Sequence, residues 1–374
     1  MKNIKRYLTA PVLCLALAVS GLIHSNSEAA EGSADMSQPV KVFILLGQSN
    51  MVGAGKVNGA QEFTLETAVK QGLYPYLKGE DSKFAQRDDV RYTNIVGNSD
   101  LSEKDVPGLI KRTNWIGIPA SWDKWSRAKI GPEMGIGFML GEAIDAPVYV
   151  LKSCIGNRSL GWDLLSPSSG PFEHAGKTFP GYNEIPKTIG SGSHPDEAKW
   201  YAGIQWDRDI GNAKLALENL EAIYPGANGY EVAGFFFWQG TKDGNEAFST
   251  HYERHLVNFI KDLRKEFNAP EAKFVLATLG QSKLDDEGEY IHDDFKNEKF
   301  PPQINANSER IINAQMSVDG QSGKYPEFEG NVTCVYAYPL SLGGSSASHY
   351  DRNAQSYMNV GEAMGRAMVE LLKK

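Results

Sequence analysis

Lys41-Val-Phe-Ile-Leu-Leu-Gly47-Gln48-Ser49-Asn50-Met51 is the stretch that decides the fold. A short run of β-branched, aromatic and aliphatic residues closed by Gly reads as a strand buried on both faces. Ser49 then stands just past the carboxyl end of that strand, where open α/β sheets put their ligands. This is a place for a nucleophile; the competing reading is a strand-to-loop turn that merely uses small polar residues. A nucleotide site does not fit. A P-loop closing at Gly55-Lys56 needs a Gly at position 50 and a hydroxyl at position 57, where the chain has Asn50 and Val57.

Four further apolar runs follow, at Val148–Lys152, Ala233–Trp238, Phe274–Leu279 and Val332–Tyr338. Helical patterns lie between and after them. Pro132-Glu133 opens one, with Pro in the first turn and an acid near the positive helix end. A second carries Tyr252, Leu256, Phe259, Ile260, Leu263 and Phe267 at helical spacing, and a third runs from Tyr357 to Leu372. Strand alternating with helix predicts a parallel sheet with helices on both faces, a three-layer α/β/α arrangement.

Two long stretches interrupt the alternation, Val57 to Lys129 and Gly161 to about Gln205. Insertions of that length are usually functional, and they are expected to build a substrate pocket, with decoration of the sheet edge as the alternative for the first.

The amino terminus has Met1-Lys2 and Lys5-Arg6, an apolar Leu8 to Ile23 segment, then Ser27-Glu28-Ala29-Ala30, the three parts of a secretory signal. Its apolar core is too short and too early for a membrane span. The expected organisation is a signal peptide over 1–30, cleaved near Ala29/Ala30, and one domain over 38–374, exported to the periplasm or medium. Cleavage removes three basic groups and one acidic group, leaving 35 against 45 and a net charge near −10. So acidic a chain argues against nucleic acid or an anionic membrane as partner. The oligomeric state is open.

The carboxyl ends of the proposed strands present Ser49, then Gly156-Asn157-Arg158-Ser159, then Trp238-Gln239-Gly240, with His349 in the loop beyond the fifth strand. Acyl transfer needs a hydroxyl nucleophile, a base to take its proton and donors aimed at an oxyanion. Ser49, His349, backbone N–H groups near Gly156 and Asn157, and the amide of Gln239 can supply them. Asn50, Arg158 and Trp162 are candidates for substrate contact, with Trp122 and Trp125 as further aromatic planes for a sugar face. This chemistry calls for no metal and no cofactor. His251 and His255 lack the Glu of a zinc-protease motif and read as a solvated helix face, His174 and His194 read as loop histidines, and His292-Asp293-Asp294 reads as an acidic loop.

Gly47-Gln48-Ser49-Asn50-Met51, Gly131-Pro132-Glu133, Lys152 through Gly156-Asn157-Arg158-Ser159-Leu160, Trp238-Gln239-Gly240 and His349-Tyr350 together resemble the sialate O-acetylesterase-like branch of the SGNH (GDSL-like) hydrolases. That branch includes acetylxylan esterases of carbohydrate esterase family six. The resemblance implies a five-stranded parallel flavodoxin-like sheet and an acetylated oligo- or polysaccharide as substrate. It also implies Ser49 as nucleophile, His349 as base, Gly156 as backbone oxyanion donor and Gln239 as side-chain donor.

Two positions depart from the pattern. The family usually has an acid three residues before its His, where this chain has Ser346; members often read Gln-Gly-Glu after the third strand, where it reads Gln239-Gly240-Thr241. Asp243 and Asp351 are the nearest substitutes for the orienting acid, and Asp243 comes first because it lies on the Gln239 loop. A neutral group can also orient a His, at a cost in rate. The alternatives are a carbohydrate-binding relative that has lost its orienting acid, and an esterase acting on non-carbohydrate esters. In the implied strand order 2-1-3-4-5, Cys154 and Cys334 belong to opposite edges, too far apart to bridge.

Overall fold

The computed structural model describes residues 34–79, 84–118, 128–185, 200–280 and 302–374. The proposed signal segment, Trp122, Trp125, His194 and His292-Asp293-Asp294 lie outside the described residues.

The five strands read from the sequence are present as β1 (Val40–Gly47), β4 (Val148–Cys154), β5 (Tyr230–Trp238), β6 (Lys273–Ala277) and β7 (Val332–Val335). They are mutually parallel. Two more strands, β2 (Gln86–Val96) and β3 (Thr113–Gly117), come from the first insertion. Among the described residues the sheet therefore has seven strands in the order β7-β6-β5-β1-β4-β2-β3, with β3 alone antiparallel. The expected five-stranded sheet is corrected to seven because the 57–129 insertion extends the β4 edge. The insertion's charged and polar stretch Gln86–Val96 hid a strand whose second half pairs with the whole of β4.

Side chains of β1 alternate between two cores. Val40, Val42, Ile44 and Leu46 face the side covered by α3 (Ile204–Glu218), α4 (Glu246–Glu266) and α5 (Pro302–Ser317). Phe43 and Leu45 face the side covered by α2 (Glu133–Ala143) and α6 (Ala354–Leu372). A strand sandwiched in this way has no solvated face, which is why Val-Phe-Ile-Leu-Leu is apolar without a break. Among the described residues no helix is long and apolar enough to cross a membrane. Cys154 and Cys334 are both free. Only Cys334 is on an edge strand, since β2 and β3 cover β4.

The second insertion carries a ribbon, Phe172–His174 paired with Lys177–Phe179, that lies on α4. Phe172 stacks on Phe179 at 4.8 Å and sits 4.3 Å from the His251 ring and 5.3 Å from that of His255. The solvated helix face expected for these histidines is corrected accordingly: His255 is fully buried and both its ring nitrogens lack a partner among the described residues. Burial first, then the charges of Arg254 and His251, pushes its pKa down to about 3. An imidazole held neutral in the fold but free to charge when unfolded withdraws stability as pH falls below about 6.5. His255→Phe is expected to be near neutral at pH 8 and to stabilise by about 2 kcal/mol at pH 5. Urea unfolding at the two pH values checks this, and an equal effect at both refutes it.

Candidate active site

The turn at Ser49 is made by two glycines. Gly47 ends β1 at φ 149°, and a Cβ there would lie 2.4 Å from the Trp238 carbonyl oxygen. Gly53 at φ 96° closes the other end, with its Cβ position 2.4 Å from Gly131 Cα. Neither position accepts a side chain, so the chain leaves the sheet sharply into α1 (Ser49–Val52). Ser49 is the first residue of that turn and half-buried. Gly156 lies across from it: a Cβ on Gly156 would be 3.4 Å from Ser49 Cβ, so the two backbones meet at Ser49.

Beneath α1 lies a buried ion pair. Lys152 Nζ is 2.9 Å from Glu133 Oε2 and donates to the Val52 carbonyl at 2.9 Å, while Glu133 Oε1 accepts the Gly131 N–H at 2.9 Å. The Lys152 and Glu133 side chains are 1% and 5% exposed, so the charges see each other rather than water. From the sequence, Glu133 reads as a first-turn acid and Lys152 as the end of an apolar run, with nothing to pair them. A Lys inside the apolar run Val-Tyr-Val-Leu-Lys-Ser-Cys was the signal that it has a buried partner.

His349 stands in the turn Ser346–Arg352, where His349, Tyr350, Asp351 and Arg352 all have positive φ, between 50° and 65°. Four successive left-handed residues cost on the order of 1–2 kcal/mol each and persist only where the surroundings hold them. The surroundings do so. Tyr350 is buried, stacked on Trp238 at 5.6 Å, and the Tyr357 hydroxyl donates to the His349 carbonyl at 3.4 Å. Asn50 Nδ2 donates to Ser346 Oγ at 3.0 Å and its carbonyl at 3.3 Å, tying α1 to this turn. Ser346 Oγ is in turn 2.7 Å from Thr241 Oγ1. The two residues that depart from the resembled pattern thus bond to each other. The charges that act on His349 are Lys129 and Arg352; with burial as the larger cause, they hold its pKa below the ordinary imidazole value.

Asp243 is placed differently from the expectation. It is fully buried, and its carboxylate accepts N–H bonds from Leu160 at 2.8 Å, Gly161 at 2.8 Å and Gln239 Nε2 at 2.6 Å. Its bonds run to the Gly156 loop and to Gln239, not to His349. Gln239 is corrected as well: its Nε2 also donates to the Arg158 carbonyl at 2.8 Å and Gln48 Oε1 at 3.2 Å, while its Oε1 accepts the Tyr252 hydroxyl at 2.8 Å. With both amide hydrogens engaged inside the protein, Gln239 braces two loops in place of donating to an oxyanion.

The three proposed substrate contacts are likewise spent internally. Asn50 is 2% exposed and committed to Ser346 and to the Tyr357 hydroxyl. Arg158 is 8% exposed, donates to Asn98 Oδ1 at 2.7 Å and Gln205 Oε1 at 3.5 Å, and lies 5.3 Å from the Trp200 ring. Trp162 is fully buried beside Phe248 and Leu165 and has no face for a sugar. Arg158 and Trp162 serve the packing of the insertions on the sheet, and Asn50 ties α1 to the His349 turn. Asn157 remains exposed beside Gly156, at φ 61°.

The family model described as carbohydrate esterase, sialic acid-specific acetylesterase matches residues 199–370. Similar solved structures include a protein of Arabidopsis thaliana, 15% identical with a TM-score of 0.49, covering 88% of this chain and 98% of its own. Another is XAC1771, described as a novel carbohydrate acetylesterase from Xanthomonas citri, 11% identical with a TM-score of 0.46, covering 87% of this chain and 55% of its own. NanS is 11% identical with a TM-score of 0.41, covering 80% and 78%. A search of the curated proteins found no match. The family match takes in Gln239, Asp243, Ser346 and His349, so it is the half of the chain carrying these residues that is similar to the sialic acid-specific acetylesterases.

Proposed function

We propose that this chain is an exported serine esterase that removes O-acetyl groups from carbohydrates through an acyl-enzyme. The observation that carries the reading is the meeting of Ser49 and Gly156 at the carboxyl end of β1, on a turn bonded through Asn50 to the His349 loop. His349 takes the Ser49 proton as Ser49 Oγ attacks the acetyl carbonyl, and the oxyanion faces the backbone N–H groups of Ser49 and Gly156. The first N–H groups of a helix have no partner within it, which leaves the start of α1 open to a developing negative charge. Collapse expels the sugar hydroxyl, which takes the proton back from His349. Water, with His349 again as base, then releases acetate and restores Ser49.

Support for the substrate class is the family match; support for export is the charged, apolar and small-residue order of residues 1–30. The test is acetate release from acetylated xylan, acetylated oligosaccharides and O-acetylated sialic acids, with fluorophosphonate labelling mapped by mass spectrometry. Label on Ser49 with release from one member of the panel is the expected result. Label elsewhere, or none, removes the serine mechanism.

The electrostatics of His349 make a separate prediction. With cations as its charged neighbours, the imidazole is expected to titrate below pH 6.5, and Lys129→Ala to raise that value. Nitrogen-15 NMR titration reads both; a value above 6.5 would reveal a carboxylate partner.

A further inference from the structure

Asp243 bonds to Leu160, Gly161 and Gln239, and its carboxylate thereby joins two of the loops that build the site. We propose that Asp243 is a positioning residue for the oxyanion side: it fastens the Ser159–Gly161 turn, which continues from Gly156, to the Gln239 loop at the end of β5. The inference rests on the esterase reading and adds to it a device that sets where the Gly156 N–H points.

Geometry decides which form of Asp243 can do this. The Oδ2 atom accepts from both Leu160 N and Gln239 Nε2, and Oδ1 accepts from Gly161 N. All three partners are donors. Oδ2 has both lone pairs engaged, so a proton there would break a bond, and a proton on Oδ1 would weaken all three by removing the charge that the donors face; the ionised carboxylate is the form that closes the link. Two neighbouring anchors depend on it less directly. Asp163 Oδ2 accepts the Ser159 N–H at 2.8 Å, and the Tyr252 hydroxyl holds the other end of the Gln239 amide. Asp163 and Tyr252 are the titratable groups that face Asp243 across this network.

The link is costly to keep charged. Burial raises the Asp243 pKa, against the lowering by Gln239, Leu160 and Gly161, to about 7, with Asp163 adding to the rise. A folded-state value above the unfolded one means that the ionised form is lost as pH falls through neutrality. The oxyanion loop then loosens in the same interval, while His349, held below the ordinary imidazole value, is still neutral and able to act. On this proposal the acid limb of the activity profile reports the loss of the Asp243 link, with Asp163, also raised by burial, holding the same turn at Ser159.

The experiment measures Ser49-dependent hydrolysis of 4-nitrophenyl acetate from pH 5 to 9 for the wild-type chain, Ser49→Ala and Asp243→Asn, with the His349 imidazole followed by nitrogen-15 NMR. Asp243→Asn is expected to lower kcat about 100-fold with KM changed by less than about threefold, the scale of losing one oxyanion donor. Its remaining activity should keep its level to lower pH than wild type, while the imidazole titration of His349 stays put. A uniform loss with an unmoved acid limb would reduce Asp243 to a structural role and overturn the proposal. A shift of the His349 titration would make Asp243 the partner of the base and overturn it equally. If Asp243→Asn does not fold, Gln239→Met removes one of the three donors and is expected to move the acid limb upward; an unmoved limb again overturns the proposal. Absence of Ser49-dependent hydrolysis in wild type would instead strike the esterase reading, and the positioning role with it.

Discussion

Ser49→Ala is expected to lower kcat for acetate release by roughly 10⁴- to 10⁶-fold while leaving KM within a few-fold, because the nucleophile contributes to the transition state and little to ground-state binding. The turn that presents Ser49 is fixed by Gly47 and Gly53 and by the anchoring of α1, none of which involves the Ser49 hydroxyl. The variant should therefore fold as wild type and still bind substrate, which calorimetry with an acetylated oligosaccharide can read. A residual rate above water would measure what the backbone donors of Ser49 and Gly156 contribute alone. A loss of less than tenfold would show that another group attacks the ester.

Lys152→Met is expected to cost about 3–5 kcal/mol of stability, since it strands Glu133 as an unpaired buried carboxylate. It also strips the Val52 carbonyl of its donor, and Val52 ends the helix that begins with Ser49. Stability and reactivity should fall together, read as a lower urea midpoint and slower fluorophosphonate labelling of Ser49. The double variant Lys152→Met, Glu133→Gln removes both charges while keeping an acceptor for the Gly131 N–H. It should recover a large part of the stability, because the cost lies in the uncompensated charge more than in the lost pair. If Lys152→Met alone costs less than about 1 kcal/mol, the pair is not the buried anchor that its geometry describes.

The two positions that depart from the resembled pattern carry neutral hydroxyls. Ser346 and Thr241 bond each other, and Asn50 joins them to α1, so the His349 loop is oriented by a network that carries no charge. An imidazole without a negative partner is a weaker base but is free of its proton at lower pH, which is the direction of the His349 shift.

The sequence by itself determined five parallel strands and the helices after Pro132, through Tyr252–Phe267 and at the carboxyl end, because the periodicities that mark them are local. It marked the turn at Ser49 through Gly47, and with the other motifs it pointed to the family that residues 199–370 match. It also located the places where the orienting acid is absent. Only the tertiary structure decided the partners. Gln86–Val96 became a strand through pairing with β4, where Val90 meets Val148 and Val96 meets Cys154, a register invisible to any local pattern. Asn50, Arg158 and Trp162 look from the sequence like groups for a ligand, but each is spent inside the fold on residues such as Ser346, Asn98 and Phe248. Asp243 sits four residues from Gln239 in sequence, which suggested the base's partner, whereas its backbone donors Leu160 and Gly161 arrive from another strand end. A buried polar group must be satisfied by whatever the packing brings to it, and packing is set by the whole chain at once.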